Sequence, residues 1–196
     1  MNNNKETNGK WADPGVIGLY LVGGVVLGGL FPLNGGFVSP NAAPLLGGFF
    51  FVSGITWLVL MVVNLRNGDM WNAIQTGAFG VLFGLAPGSG LLLPVLAKGA
   101  GIEVDTRLLG WYLMYVGVVF LIMAIPSYKI LKSLAVTYVV VFFAAGMSGA
   151  VFAGYLSPGM LKVASWLFLY IGLWFTYIPT AITINTVYEK PILPIR

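Results

Sequence analysis

Groups able to do chemistry are scarce in this chain of 196 residues. It contains no histidine and no cysteine. That removes the usual general base near neutral pH, the thiol nucleophile and the commonest metal ligands. Glu103 and Asp105 stand close to Lys98 and Arg107 and read as ordinary solvated charges. No pair of carboxylates falls inside an apolar stretch, so acid–base work lacks its two partners. There is no Gly-x-Gly-x-x-Gly after a strand pattern, no Walker loop and no serine elbow. The sequence predicts no enzyme, and no cofactor or metal is expected. What remains is neutral. Hydroxyls and amides recur within apolar runs at Ser53, Thr56, Gln75, Thr76, Ser89, Thr137, Ser148, Ser165, Thr176, Thr180, Thr183 and Asn185. Thr176, Thr180 and Thr183 share one helix face at i, i+4, i+7. Each hydroxyl is expected to bond a carbonyl one turn back in its own helix. The alternative is a hydroxyl-lined track for a small polar solute.

The elements that hold these residues follow from composition. Hydrophobic residues make up 58% of the chain and charged ones only 8%. A soluble domain carries roughly 25% charged residues, so this chain cannot coat a water-exposed surface. Its apolar content also excludes disorder. The remaining class is a polytopic membrane protein. Charge-free stretches lie between Asp13 and Arg66, over 70–97, 108–128, 133–161 and 163–188. A span needs about 20 apolar residues. The first stretch is too long for one helix and is broken by Pro32-Leu33-Asn34-Gly35-Gly36 and Ser39-Pro40-Asn41. Six helices are therefore predicted, over 15–31, 43–65, 71–96, 108–125, 131–156 and 161–188. The fold class is all-α, a six-transmembrane-helix bundle. Residues 1–12 form a polar tail, 13–190 the transmembrane domain and 191–196 a short C-terminal tail. No signal peptide is expected, because the apolar segment after the polar start has no small-residue cleavage site. Asp13-Pro14 suits the cap and first turn of the first helix. Pro87, flanked by Gly84 and Gly88, permits a kink in the third.

Glycine, at 27 residues, recurs at helical spacing. Gly24 and Gly28 are four apart; so are Gly80, Gly84 and Gly88, and then Gly146, Ala150 and Gly154. Small residues let helix backbones approach in a bilayer. These stripes are expected to pack helices within one subunit, or else to line a path or a subunit interface. Trp11, Trp71, Trp111, Tyr112, Tyr128 and Tyr188 lie near span ends and form an aromatic belt. Trp57, Trp166 and Trp174 lie deeper. The net charge of +4 comes without a basic run or patch, so no nucleic-acid partner is implied; the partner is the lipid bilayer.

A family resemblance joins these features. Asp13-Pro14-Gly15-Val16-Ile17-Gly18-Leu19 resembles the Asn-Pro-Ala-Pro-Leu-Gly-Leu signature that precedes the first helix of the acetate uptake transporter family, also called the succinate–acetate permeases. Pro14, Gly18 and Leu19 match it, and Asp replaces the leading Asn. Gly47-Gly48 is similar to the paired glycines of that family's second helix, and Leu109-Gly110 with Tyr112 to the start of its fourth. Ala164-Ser165-Trp166, Gly172, Tyr177 and Asn185 resemble its sixth helix, and Leu193-Pro194-Ile195 its C-terminal Leu-Pro-Ile. The ordered series runs from Asp13 to Ile195. The resemblance implies a six-helix protomer, a solute path through each protomer, a hexameric ring and passage of acetate or related monocarboxylates. It places Asp13, Pro14, Gly18, Leu19, Val22, Phe79, Tyr177 and Asn185 on or beside the path. Val22 stands where members carry Phe, Phe79 where they carry Tyr, and Ile182 where many carry Glu. The family's constricting leucine falls within 137–141.

The function expected is a membrane channel or transporter for a small solute, most simply acetate or another short monocarboxylate, in a bacterial or archaeal plasma membrane. A urea or amide channel and a non-transporting scaffold subunit are the alternatives. Six spans put both termini on one side. Lys5, Lys10, Arg66, Lys129, Lys132, Lys190 and Arg196 lie there, and Lys98, Arg107 and Lys162 opposite. The positive-inside bias then makes both termini cytoplasmic. Reporters inserted in the loops around Gly36 and Gly101 should both read as extracytoplasmic; a cytoplasmic signal from either would overturn the orientation.

Overall fold

Hydrocarbon offers no partner to a backbone N–H or C=O, so a spanning chain must satisfy them within its own helices. The computed structural model of the protein, which describes residues 14–195, follows that rule. Among the described residues, six helices are long and apolar enough to cross a membrane. They are α1 (Gly15–Gly35), α2 (Pro40–Arg66), α3 (Met70–Gly99), α4 (Arg107–Ile130), α5 (Lys132–Phe152) and α6 (Met160–Val187). Asp13, Trp11 and the basic residues Lys5, Lys10 and Arg196 lie outside the described residues, as does the predicted Asp13 cap. At the start of α1 the Pro14 carbonyl accepts from the Ile17 and Gly18 amides.

Several helix ends differ from the sequence expectation: α4 runs on to Ile130 rather than 125, with Pro126 inside it, and two others differ for local reasons. α1 continues past Phe31 because Pro32 falls in the first turn of a fresh helical segment. Immediately before it, Val26–Leu30 is wound as a π-helix, and the Phe31 amide reaches back five residues to the Val26 carbonyl. Gly36, at φ 74°, then closes the helix with left-handed geometry that favours glycine. α5 stops at Phe152 rather than 156 because Gly154, at φ 85°, turns the chain. α3 repeats the α1 device. Phe79–Leu85 is π-helical, the Ala86 amide bonds the Val81 carbonyl, and Pro87 follows. The expected irregularity at Pro87 is thus a widened turn placed before the proline.

Helix ends are capped from outside the bilayer core. Asp69 Oδ1 accepts from the Asn72 amide at the start of α3. Ser39 Oγ accepts from the Asn41 amide ahead of α2. In the loop before α4, Asp105 is exposed and its carboxylate takes a 2.6 Å bond from the Arg107 guanidinium. Hydrogen bonds from that side chain and the Arg107 amide hold the Asp105 pKa down at about 2. This pair is a solvated surface contact, as the sequence implies.

Three close helix pairs build the bundle, and glycine makes each one. On α2 and α3, Gly54 lies against Gly84 and Gly47 against Gly88, so close that a methyl group on any of them would meet backbone atoms of the other helix. On α4 and α5, Gly110 and Gly149 oppose each other in the same way, with Gly117 beside the Phe142 carbonyl. On α1 and α6, Gly23 abuts Phe175 and Thr176, and Gly172 abuts Leu27. Tyr112 ties α4 to α3 by donating to the Leu82 carbonyl at 3.3 Å. Gly24, Gly28 and Gly146 are different: nothing lies within 4 Å of where a Cβ would stand. Gly24 and Gly28 are exposed on the outer face of α1.

These contrasts set opposite outcomes for one substitution type. Gly84→Ala should destabilise the detergent-solubilised protein by about 1–3 kcal/mol, the usual cost of overpacking. Gly146→Ala should be neutral or slightly stabilising, since its Cβ would meet nothing within 4 Å and alanine favours the helix by up to about 1 kcal/mol. Thermal denaturation followed by circular dichroism measures both; equal midpoints for the two variants would refute the seam.

Candidate functional site

The centre of the bundle is filled by aromatic rings. Phe79, from the π-helical turn of α3, is 6% exposed. Its ring centroid lies 5.1 Å from Phe120, 5.6 Å from Trp57, 5.8 Å from Phe175, 5.9 Å from Phe83 and 6.4 Å from Tyr138. Edge and tilted contacts of this kind add to the area they bury. The rings come from α2, α3, α4, α5 and α6, and Val22 of α1, 2% exposed, belongs to the same cluster. Trp57 is locked in place because its indole Nε1 donates to the Gly18 carbonyl at 3.1 Å.

A cavity opens on each side of this plug. The larger, of about 230 Å³, lies at the end formed by the starts of α1 and α3 and the ends of α2 and α6. Gly18, Leu19, Val22, Trp57, Asn64, Gln75, Thr76, Phe79, Trp174, Ile178 and Ile182 are among its walls. The smaller, of about 60 Å³, lies towards the opposite end, walled by Leu30, Asn34, Phe50, Phe83, Val141, Ser148 and Phe168 among others. Phe79 faces the first cavity and Phe83 the second, so the two rings separate them. Among the described residues no charged side chain lines either cavity.

The polar atoms here are few and mostly paired. Asn64, 2% exposed, donates from Nδ2 to Thr76 Oγ1, which in turn donates to the Asn72 carbonyl at 2.7 Å. In the smaller cavity Asn34 Nδ2 meets Ser148 Oγ at 3.5 Å. Among the described residues no cluster of acidic side chains could hold a metal ion. An axis of this make-up can pass or hold a small, partly apolar solute.

The residues singled out from the sequence divide into two groups. Gly18, Leu19, Val22 and Phe79 meet at the larger cavity. Pro14 is buried just beneath, at the start of α1, and Asp13 lies outside the described residues. Tyr177 and Asn185 line neither cavity. They hold the C-terminal segment instead. Asn185 Oδ1 accepts from the Ile192 and Leu193 amides, its Nδ2 donates to the Leu193 carbonyl, and the Tyr177 hydroxyl donates to the Pro194 carbonyl. The threonine stripe bonds its own helix: Thr176 to Gly172, Thr180 to Thr176 and Thr183 to Pro179. None of the three lines a cavity, so the hydroxyl track is not formed. Sequence reasoning missed Asn64, Trp57 and Trp174 at the larger cavity. An amide one residue before the end of α2's apolar run was the available signal for Asn64.

Fold and site together define a six-helix membrane bundle with a neutral, ring-plugged axis. A solved structure described as the bacterial acetate channel SatP is similar to it, with 21% identity, 95% of this chain and 100% of that chain covered, and a TM-score of 0.83. The likeness shows that this chain has that channel's fold. No sequence-family profile matches the chain, and no curated protein does.

Removing the Asn185 side chain should free the C-terminal segment without touching the axis. In Asn185→Ala, amide exchange at Ile192 and Leu193 should accelerate at least ten-fold while exchange at Phe79 stays unchanged. Unaltered exchange at both tail amides would show that the clamp does not hold them.

Proposed function

We propose that the chain is a membrane channel for acetate or a related short monocarboxylate, a divergent member of the acetate uptake transporter family. The observation that carries this reading is the ring plug at Phe79 between two neutral cavities, set in the fold of a bacterial acetate channel. A path whose described walls carry no charge suits an undissociated acid, or an anion whose head group is met by polar N–H groups. Val22 and Phe79 are the proposed path residues, with Gly18 and Leu19 beside them. Val22 is small and borders the larger cavity, so a ring there would narrow the axis beside Phe79.

Flux through reconstituted variants tests this directly. Phe79→Ala should raise total flux and lower the preference for acetate over propionate or lactate by about ten-fold, the low end of what apolar size discrimination supplies. Val22→Phe should slow flux and sharpen the preference. Rates and preference orders equal to wild type in both variants would remove these residues from the path. No flux of any short acid in the wild type would instead favour a non-transporting role.

We further propose that copies assemble as a homo-hexamer, with both termini cytoplasmic in a bacterial or archaeal plasma membrane. Support comes from the outer face. Gly24 and Gly28 are open to the outside, and a groove of about 310 Å³ runs between α1 and α2 past Tyr20, Gly24, Phe49 and Val52. Small residues flanked by large apolar ones suit close packing against another helix in lipid. Native mass spectrometry should give six chains per particle; monomer at every concentration would count decisively against it.

A further inference from the structure

We propose that the larger cavity contains a built site for a carboxylate head group, held by the Gln75 side-chain amide and the Trp174 indole N–H. The inference rests on the channel reading above and names the groups that meet the solute. Gln75 Nε2 and Trp174 Nε1 are both buried, and neither has a hydrogen-bond partner. Trp174 as a whole is only 9% exposed. Buried polar atoms are nearly always paired, and an orphan is costly enough to call for an explanation. The two atoms belong to different helices, α3 and α6, yet both residues wall the same cavity. The third orphan, Ser133 Oγ, is on a residue that does not line it.

The neighbouring polar groups show that pairing is possible here and has been withheld. Trp57, the other buried indole of this cavity, donates to Gly18. Asn64 and Thr76 donate to Thr76 and Asn72. What is left over on Gln75 and Trp174 is two donors. A carboxylate presents acceptors alone, whereas an amide or urea brings N–H groups that need acceptors in return. Two orphan donors therefore suit the acceptor-only head group of an acid, with an amide, which the Gln75 carbonyl could answer, as the competitor that the titration tests. Val22, Phe79 and Ile178 supply apolar wall for the rest of a short acid. Among the described residues no cation lines the site, so the described groups bind weakly, which is what passage requires: a solute must leave as well as enter. Water is the competing occupant. One water needs about 10–15 Å³ of such space, and this cavity holds far more.

The experiment separates these occupants and also separates the site from the channel reading. Protein labelled with ¹⁵N at its indoles is titrated in lipid nanodiscs with sodium acetate, sodium chloride and acetamide. The Trp174 resonance is identified by its loss in Trp174→Phe. It should shift saturably with acetate and stay put with the other two. In flux assays Trp174→Phe and Gln75→Leu should each raise the half-saturating acetate concentration about five-fold, the worth of one net hydrogen bond. Ser133→Ala should leave it unchanged. If Trp174→Phe fails to fold, the half-saturating acetate concentration of Gln75→Leu decides alone. A protein that conducts acetate with an unmoved resonance, or one moved equally by all three solutes, overturns the site and leaves the channel standing; water alone then fills the cavity. A resonance that titrates with acetate in a protein without flux upholds the site and overturns the channel. Neither binding nor flux overturns both.

Discussion

Lipid gives helices nothing to gain by burying leucine, so their contact depends on how near two backbones can come. In this protein that distance is set by glycine facing glycine. Gly54 on Gly84 and Gly47 on Gly88 draw α2 onto α3, and Gly110 on Gly149 draws α4 onto α5. The rings of the plug occupy what these seams leave between them. Trp57 lies three residues beyond Gly54, and Phe79 and Phe83 flank Gly80. The close approach of the two backbones thus brings the Trp57 and Phe79 rings to 5.6 Å. A looser seam would separate the rings before it separated the helices.

The polar atoms obey the same scarcity of partners. With no water in the hydrocarbon, most hydroxyls are answered by a carbonyl, usually one turn back in the same helix. Thr137, Thr176, Thr180, Thr183 and Ser127 all do this. Asn185 answers a chain segment that has already left its helix. Against this background the larger cavity stands out, since Gln75 and Trp174 stay unanswered there. A site for a solute is recognisable by what the protein declines to satisfy for itself.

The six spans were legible because charge marks their ends: a lysine or arginine within a bilayer is expensive, so the gaps between charges measure helices directly. The threonine back-bonds were legible too, since they need only local geometry. Two things were hidden. Spacing shows that Gly24, Gly28, Gly80 and Gly84 repeat every four residues, but not that the first two look outward and the others inward; that depends on which helices become neighbours. Tyr177 and Asn185 look like path residues at the level of the family resemblance, but only the folded-back tail reveals their partners at Pro194 and Leu193. Gln75 and Trp174 are 99 positions apart in the chain, and no local pattern joins them.

The widened turn of α3 has an angular consequence. On a regular helix of 3.6 residues per turn, positions eight apart are rotated by about 80°. Gly80 and Gly88 are eight apart, yet both press on α2, one near Gly54 and the other near Gly47. The π-helical stretch Phe79–Leu85 lies between them. Its larger number of residues per turn unwinds much of that rotation, so a glycine stripe with a period of four keeps to one face. The same unwinding leaves Phe79 and Phe83 together on the plug. Tightened to an ordinary α-helix, this segment could keep its seam or its rings in register, but not both.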